Sequence, residues 1–291
     1  MSTPKVAFLI NHKAGSRGTG KQRTDLMKHL KGRSGMSVYE TQTPEEMLEL
    51  SRDLAQKNYE AIFACGGDGT LNLVSSQLIG TETALAIIPL GSGNGYARHH
   101  KIPLQWNEAL KVIDHPRRTL RDTGVINNLY FLNIAGIGYA AKISHAFHGA
   151  EKRGMLGYTR TVAKNLKMEA FHARVSNENS SWEGDTWMVD FCNGSQWGNN
   201  FRISPGSRDD DGSLSAVIFK KINPLKLPVL GFHMATKKMD KSPDVVTMAG
   251  AGFIMEFEGK RPLHIDGEPA GFAKKKAEVQ ILPKSLWVWT P

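Results

Sequence analysis

The sequence predicts an α/β protein in two parts, an amino-terminal parallel sheet with helices followed by a mainly antiparallel β-sandwich. Three observations carry this. The apolar runs at Lys5–Ile10, Ala61–Cys65 and Ala84–Leu90 each open into a glycine-rich loop that leads toward a helical segment, and strand–loop–helix units of this kind build parallel sheets. Beyond about residue 120 the texture changes to strand-like runs separated by Asn, Gly, Pro and Asp. The length, 291 residues, suits two domains better than one. We therefore expect a nucleotide-binding α/β domain over residues 1–121 and a β-rich substrate domain over 122–291, with the active site in the cleft between them.

Lys5-Val6-Ala7-Phe8-Leu9-Ile10 reads as the first buried strand. It opens into Asn11–Lys21 and then a helix to about Leu30. Gly15 to Lys21 spells G-x-x-x-x-G-K, nearly a phosphate-binding P-loop, but Gln22 stands where Ser or Thr should ligate Mg²⁺. A flexible basic loop facing phosphates is the better reading. A short strand near Met36–Glu40 leads through Thr41 to Pro44 and a helix from Glu45 to about Lys57.

The next unit organises the chain. Ala61-Ile62-Phe63-Ala64-Cys65 delivers Gly66-Gly67-Asp68-Gly69-Thr70 to a helix that begins with Leu71-Asn72-Leu73-Val74 and runs to about Ile79. Glycine permits positive φ and close approach of a ligand to the main chain. Successive N–H groups at a helix start form an anion site suited to phosphate. A carboxylate inside such a loop would repel phosphate unless it holds a cation or meets a substrate hydroxyl, so Asp68 points to a metal–nucleotide site. The plainer reading is a tight turn with Asp68 as helix cap. Ala84–Leu90 then ends in Gly91-Ser92-Gly93-Asn94-Gly95. In an open α/β sheet the loops at the carboxyl ends of the strands converge on one ligand crevice. A helix over Asn107–Ile113 and the break at Pro116 close the unit near Leu120.

In the second half, Leu129–Ile134, Trp187–Phe191, Leu214–Phe219, Gly252–Glu258 and Ala277–Leu282 read as strands, and only about Lys142–Ala170 reads as helix. With 40% hydrophobic and 22% charged residues the chain can build an ordinary core, and no run approaches about 18 uninterrupted apolar residues, so no membrane span is expected. Met1–Lys5 leads straight into a strand with no signal-peptide pattern. Cys65 and Cys192 lie in apolar runs without ligand spacing and read as buried thiols of a reducing cytosol. A formal net charge of +9 favours an anionic partner. No basic block with interleaved aromatics occurs, so nucleic acid is not expected.

These motifs carry a resemblance. Asn11–Gly15, Gly66–Thr70, Gly91–Gly95 and the late Asp266-Gly267-Glu268 follow the order and spacing of the diacylglycerol kinase catalytic-domain family, which includes bacterial lipid kinases, sphingosine kinases and ceramide kinases. Asp122-Thr123-Gly124 leading into Phe131–Gly136, Gly154–Tyr158 and Asp210-Asp211-Gly212 also fit, so the likeness spans nearly the whole chain. The resemblance implies an N-terminal domain similar to phosphofructokinase and NAD kinases, a C-terminal β-sandwich, and ATP with Mg²⁺. It implies nucleotide contacts at Asn11, Lys13, Gly15, Thr41, Gly66, Gly67, Gly69, Thr70, Leu71, Asn72, Gly91, Ser92, Gly93 and Asn94. By the same likeness Glu268 resembles the proton acceptor. Asp211 resembles a carboxylate of an accessory Mg²⁺ site to which Arg208 and Ser213 could add backbone carbonyls, and Asp122 resembles a carboxylate near the centre. Three positions depart from the family pattern: His12 replaces the usual Pro, Leu73 the usual Glu, and Gly95 an Asp of many members.

The expected function is an ATP- and Mg²⁺-dependent kinase that phosphorylates a lipid hydroxyl, such as that of diacylglycerol or a sphingoid base. Its partners would be a nucleotide and a lipid at a membrane surface, and it would be cytoplasmic with peripheral membrane association. A kinase of a soluble acceptor such as NAD and a catalytically silent nucleotide- or lipid-binding regulator are the alternatives. The oligomeric state stays open, a homodimer included. Without the family pattern Glu268 reads as part of a solvated hairpin turn, because Asp-Gly is a common hairpin signal. The lysine clusters Lys220-Lys221, Lys237-Lys238 and Lys274-Lys275-Lys276 could meet anionic lipid or be solvated edges. Gly149–Gly154 reads as a basic loop.

Overall fold

The computed structural model describes residues 4–14, 20–148, 161, 164–165, 168–198, 201–236 and 238–291. Gly15 and most of the P-loop-like segment, the basic loop Gly149–Gly154, Gly154–Tyr158 and Lys237 lie outside the described residues. The chain divides into two units, Met1–Arg121 with Lys284–Pro291, and Asp122–Pro283. The expected second domain, 122–291, is thus corrected at its end. Leu286, Val288 and Trp289 are buried apolar side chains. Val288 pairs in parallel with Leu85, and the Trp289 ring meets Phe63 edge-on at 6.3 Å between centroids. The core of the first unit is where these side chains leave water.

In the first unit, β1 (Val6–Asn11), β2 (Met36–Thr41), β3 (Ala61–Gly66) and β4 (Ala84–Pro89) pair in the order β2–β1–β3–β4, every pair parallel. β3 and β4 are buried along their whole length, as expected of parallel strands covered on both faces. Phe8 and Phe63 stack at 4.5 Å across the sheet. The connecting helices are α1 (Gly20–Leu30), α2 (Pro44–Gln56), α3 (Asp68–Ser76), α4 (Gly95–His99) and α5 (Trp106–Leu110). Local chemistry fixes their starts. Thr43 Oγ1 accepts from Glu46 N–H at 3.2 Å, Glu46 Oε2 accepts in return from Gln42 N–H at 2.7 Å, and Pro44 opens α2, a capping-box arrangement. The parallel register brings Asn11 beside Thr41 and Gly66 beside Pro89. The loops after β1, β3 and β4 therefore leave from one edge of the sheet.

The second unit is built of antiparallel pairs. β7 (Ile134–Gly138) and β8 (Phe171–Ser176) both lie between the long strands β9 (Ser181–Cys192) and β14 (Gly252–Ile265), one at each end. β12 (Leu214–Lys220) joins β9 to β13 (Val245–Gly250), and β15 (Glu268–Thr290) returns along β14. β5 (Arg117–Ile126) pairs with β6 (Leu129–Phe131), and the short β10 (Gln196–Gly198) pairs antiparallel with β11 (Phe201–Arg202). Side chains alternate by strand geometry. Ala135, Ile137, Val189, Phe191, Leu263 and Ile265 enter one core, whereas Ile134, Met188, Cys192, Val217 and Phe219 enter a second. That second core also contains Leu230 and Met234 of a helix the sequence reading did not expect, α7 (Leu227–Ala235). Its sequence LPVLGFHMA is apolar all round and interrupted by Gly231, so it carries no 3.6-residue periodicity. α6 (Tyr139–His148) packs on β14 and β7.

Candidate active site

The first unit gathers its loops through glycine. A Cβ on Gly91 would sit 2.5 Å from Gly67 Cα and 2.8 Å from Asn94 Oδ1, and a Cβ on Gly66 would sit 2.3 Å from Thr70 Oγ1. The loops after β3 and β4 thus touch main chain to main chain, and only glycine fits. Asn94 takes φ 49° and closes its own loop, accepting from Gly91 N–H at 3.1 Å and donating to Gly91 O at 2.7 Å. Asn is one of the few side chains that tolerates that backbone region. Asn11 ties in the first loop: its Nδ2 donates to Thr70 Oγ1 at 2.9 Å, and its Oδ1 accepts from Lys13 N–H at 2.9 Å. Helix α3 starts at Asp68 behind Gly67, and the first N–H groups of a helix have no acceptor within it. Here the main chain can approach an anion closely.

Asp68 is half-buried and aims its carboxylate across the loops. Oδ2 accepts from Gly95 N–H at 3.0 Å and Oδ1 from Tyr96 N–H at 3.2 Å. The side chain therefore braces the start of α4. Gly95 and Tyr96 were not among the expected site residues; Gly95 stood out only as the end of its glycine loop and as a departure from the family pattern, and nothing local in the sequence marks Tyr96. Thr41 is buried, with its hydroxyl on Ile10 O at 3.4 Å and Met47 Sδ at 3.8 Å, and the Leu71 side chain is 2% exposed. Both act from within the core. Ser92 and Lys13 are exposed beside the loops. Cys65, directly before Gly66, is a fully buried free thiol whose pKa burial pushes far up, which leaves it inert as a nucleophile.

In the second unit the carboxylates are held by backbone donors. Asp122 is 1% exposed; Oδ2 accepts from Gly212 N–H at 2.7 Å and its own N–H donates to Asp209 O at 2.7 Å. It anchors the acidic turn from within. Asp211 is exposed and its Oδ1 accepts from Ser213 N–H at 3.0 Å. Arg208 is exposed too, and its Nε donates to Asp210 Oδ1 at 2.9 Å rather than to Asp211, an ion pair that holds the guanidinium pKa above its ordinary value. An exposed carboxylate is a hard oxygen donor of the kind Mg²⁺ takes.

Asp266 and Gly267 take φ 51° and 86°, the two positive values a tight hairpin demands, and Ile265 pairs with Glu268 across the turn. The Asp266 carboxylate accepts three backbone bonds, from Leu132 N–H at 3.0 Å, Asn133 N–H at 2.8 Å and Ile134 N–H at 3.0 Å. Ser144 of α6 donates to Gly267 O at 2.5 Å. Glu268 follows this turn, exposed to solvent. Asn193 Nδ2 donates to both Asp122 O at 2.9 Å and Leu132 O at 2.7 Å, so one buried amide links the Asp122 turn to the segment that grips Asp266. The sequence reading missed Asp266, Asn133 and Asn193 as site residues; the Asp-Gly turn was the one local signal for the first.

A further buried pair lies on β14 and β9. His264 Nε2 is 3.1 Å from Asp190 Oδ1, with side chains 4% and 0% exposed. A Cβ on Gly136 between them would fall 1.7 Å from that oxygen, so glycine makes room for the contact. Burial, and after it the Asp190 carboxylate, raises the Cys192 thiol pKa well above its ordinary value.

Comparison with known proteins gives the geometry a context. Residues 5–126 match the diacylglycerol kinase catalytic domain, and residues 133–290 match the YegS C-terminal NAD kinase beta sandwich-like domain. A probable lipid kinase YegS-like from Citrobacter koseri is 30% identical over 239 residues, covering 79% of this chain and 78% of the relative. The chain belongs to this family of YegS-like lipid kinases. A second family member, from Klebsiella pneumoniae, is 26% identical over 98% of this chain and 96% of its own. A solved diacylglycerol kinase from Bacillus anthracis str. Sterne shares the fold, with TM-score 0.77, 20% identity, and coverage of 100% of this chain and 98% of that one. As a family member the protein is a kinase, a phosphotransferase. Among the departures from the family pattern, Gly95 stands at an N–H that serves Asp68, and Leu73 is half-buried on α3 with its carbonyl accepting from Ser76 Oγ at 2.7 Å.

Proposed function

We propose that the protein transfers the γ-phosphoryl group of ATP to the hydroxyl of a lipid such as diacylglycerol or a sphingoid base, with Mg²⁺ as cofactor. The observation that carries this reading is the contact of the Gly67 and Gly91 loops. Two loops with no room for a Cβ offer bare main chain where a phosphate chain can lie. Phosphoryl transfer asks for positioning and charge stabilisation more than for covalent chemistry. Gly66, Gly67, Gly69, Thr70, Asn72, Gly91, Ser92, Gly93 and Asn94, with Asn11 and Lys13, hold the nucleotide. Asp68 keeps the two loops in register, and its place beside the phosphates favours a share in holding the cation. Asp211 with carbonyls of Arg208 and Ser213 would hold an accessory Mg²⁺, and Mg²⁺ bound with the nucleotide would neutralise phosphate charge. In the reaction Glu268 takes the proton of the acceptor hydroxyl as the new O–P bond forms and the bond from γ-phosphorus to the bridging oxygen breaks, releasing ADP. Asp266 and Asp122 position the segments that carry Glu268 and Asp211. The likeness of the first unit to phosphofructokinase and NAD kinases belongs to the same reading.

The test is transfer of labelled γ-phosphate to diacylglycerol, sphingoid bases, ceramide, phosphatidylglycerol and NAD, with Mg²⁺ present or chelated and Asp68→Ala as control. A labelled lipid that needs Mg²⁺ and disappears in Asp68→Ala is the expected result. Labelled NAD alone would overturn the lipid assignment.

A further inference from the structure

The three most exposed large apolar side chains among the described residues lie within one eight-residue stretch: Leu225 (84% exposed), Val229 (55%) and Phe232 (62%). They surround the start of α7, which carries no Asp, Glu, Lys or Arg. Its inner side is accounted for, since Leu230 and Met234 pack with Val217, Phe219 and Met239. The outer side of a surface helix is ordinarily polar. Here it is apolar as well, and a cluster of exposed apolar side chains marks an interaction surface. The flanks are basic. Lys220, Lys221 and Lys226 precede the helix and Lys237, Lys238 and Lys241 follow it, against Asp240 and Asp244, a balance of +4 over residues 220–244.

We propose that this face docks the protein on an anionic membrane surface. Leu225, Val229 and Phe232 enter the boundary between headgroups and acyl chains, and the flanking lysines, of which Lys221 and Lys226 are shared with Asp185 and Asp244, meet lipid phosphates. An apolar helical face rimmed by lysines is the chemistry that such a surface selects. A second copy of this chain is the poorer occupant. A symmetric interface sets each patch against itself and would oppose its basic flanks to their own copies. Three side chains also fall short of the roughly 800 Å² per partner that a specific protein interface buries. The inference rests on the lipid kinase reading, because an acceptor that stays in the bilayer has to be met there.

Co-sedimentation of the full chain with vesicles tests it, using phosphatidylcholine alone and an equimolar mixture with phosphatidylglycerol. The wild type should favour the mixed vesicles. Leu225→Ser/Val229→Ser/Phe232→Ser, all at exposed positions, should weaken that binding by roughly tenfold or more at an unchanged thermal midpoint. Lys238→Glu/Lys241→Glu should abolish the preference for phosphatidylglycerol and flatten its dependence on salt. Transfer to acceptor lipid in detergent micelles should be unchanged in the triple variant, while transfer to vesicle lipid falls. Equal vesicle binding by the triple variant and the wild type overturns the proposal, as does failure of the wild type to bind either vesicle. A wild-type dimer that becomes a monomer in the triple variant, with vesicle binding unchanged, gives the face to a second copy and likewise overturns it. Vesicle binding that depends on the face, with no lipid phosphorylated even in micelles, upholds the docking surface and overturns the lipid acceptor.

Discussion

In the first unit Gly67 and Gly91 face each other with no side chain between them. In the second unit the Asp122 carboxylate accepts from the Gly212 N–H and that of Asp266 from three backbone N–H groups. One unit offers main chain to its ligand; the other uses main chain to fix its side chains. The difference sets how each unit is vulnerable. The first is sensitive to added atoms, because a single methyl meets backbone. The second is sensitive to changed atoms, because an exposed carboxylate on a locked hairpin matters for its charge and proton affinity.

The largest expected effect is at Glu268. Glu268→Gln keeps the shape and removes the base, so single-turnover transfer should fall roughly a hundred- to ten-thousandfold, with thermal midpoint and ATP affinity unchanged. More than a tenth of wild-type turnover would break the contrast, since the identity of the side chain would then not matter. Next comes the buried pair His264–Asp190. His264→Ala takes the hydrogen-bond partner of the buried Asp190 Oδ1 away, opens a cavity, and should cost about 3 kcal/mol in urea denaturation. The double variant His264→Ala/Asp190→Val should recover most of that loss, and simple additivity would sink the pairing.

Gly91→Ala probes the other side of the contrast. Its methyl must displace Gly67 or Asn94, so we expect a destabilisation of about 1–3 kcal/mol and at least a tenfold loss of ATP affinity by calorimetry. Gly206→Ala adds a methyl in open space and should be near neutral. Equal effects would mean that the loop contact is not a constraint.

The smallest effect is a pH dependence from an exposed cluster that belongs to neither site. Glu183 and then Asp185 raise the His172 pKa above 6.5, while Lys221 and then His172 hold Asp185 below 3.8. The Asp185 contribution is complete above pH 3.8 and is lost as pH falls through its depressed folded value. The His172 contribution is complete below pH 6.5 and is lost as pH rises through its raised folded value. The gap in thermal midpoint between wild type and His172→Gln should therefore open below pH 6.5 and close well above it. A gap that is independent of pH would remove the cluster from the account.

The units that were legible in the sequence are local ones. Ala61–Cys65 followed by Gly66-Gly67-Asp68-Gly69-Thr70 shows a strand, a glycine loop and a helix start within 15 positions, and the structure has β3, the loop and α3 there. Asp266-Gly267 announced a hairpin, and Ile265 pairs with Glu268 across it. Two elements were not legible. α7 has apolar residues on every side, so periodicity could not reveal which of them are buried. Leu286, Val288 and Trp289 form a strand end that reads the same whichever core receives it.

The sequence by itself determined the strand–glycine–helix units of the first half, the β texture of the second and the Asp-Gly turn ahead of Glu268. Each of these follows from backbone preferences and apolar spacing among neighbouring residues. Only the tertiary structure decided where the carboxylates point. Asp68 reaches N–H groups 27 and 28 positions away, Asp122 one 90 away, and Asp266 three that lie 132 to 134 away. It also decided that residues 284–291 complete the first unit. A carboxylate is satisfied by whatever donor the fold brings within about 3 Å. That depends on how distant strands are packed and not on the residues beside it in the chain.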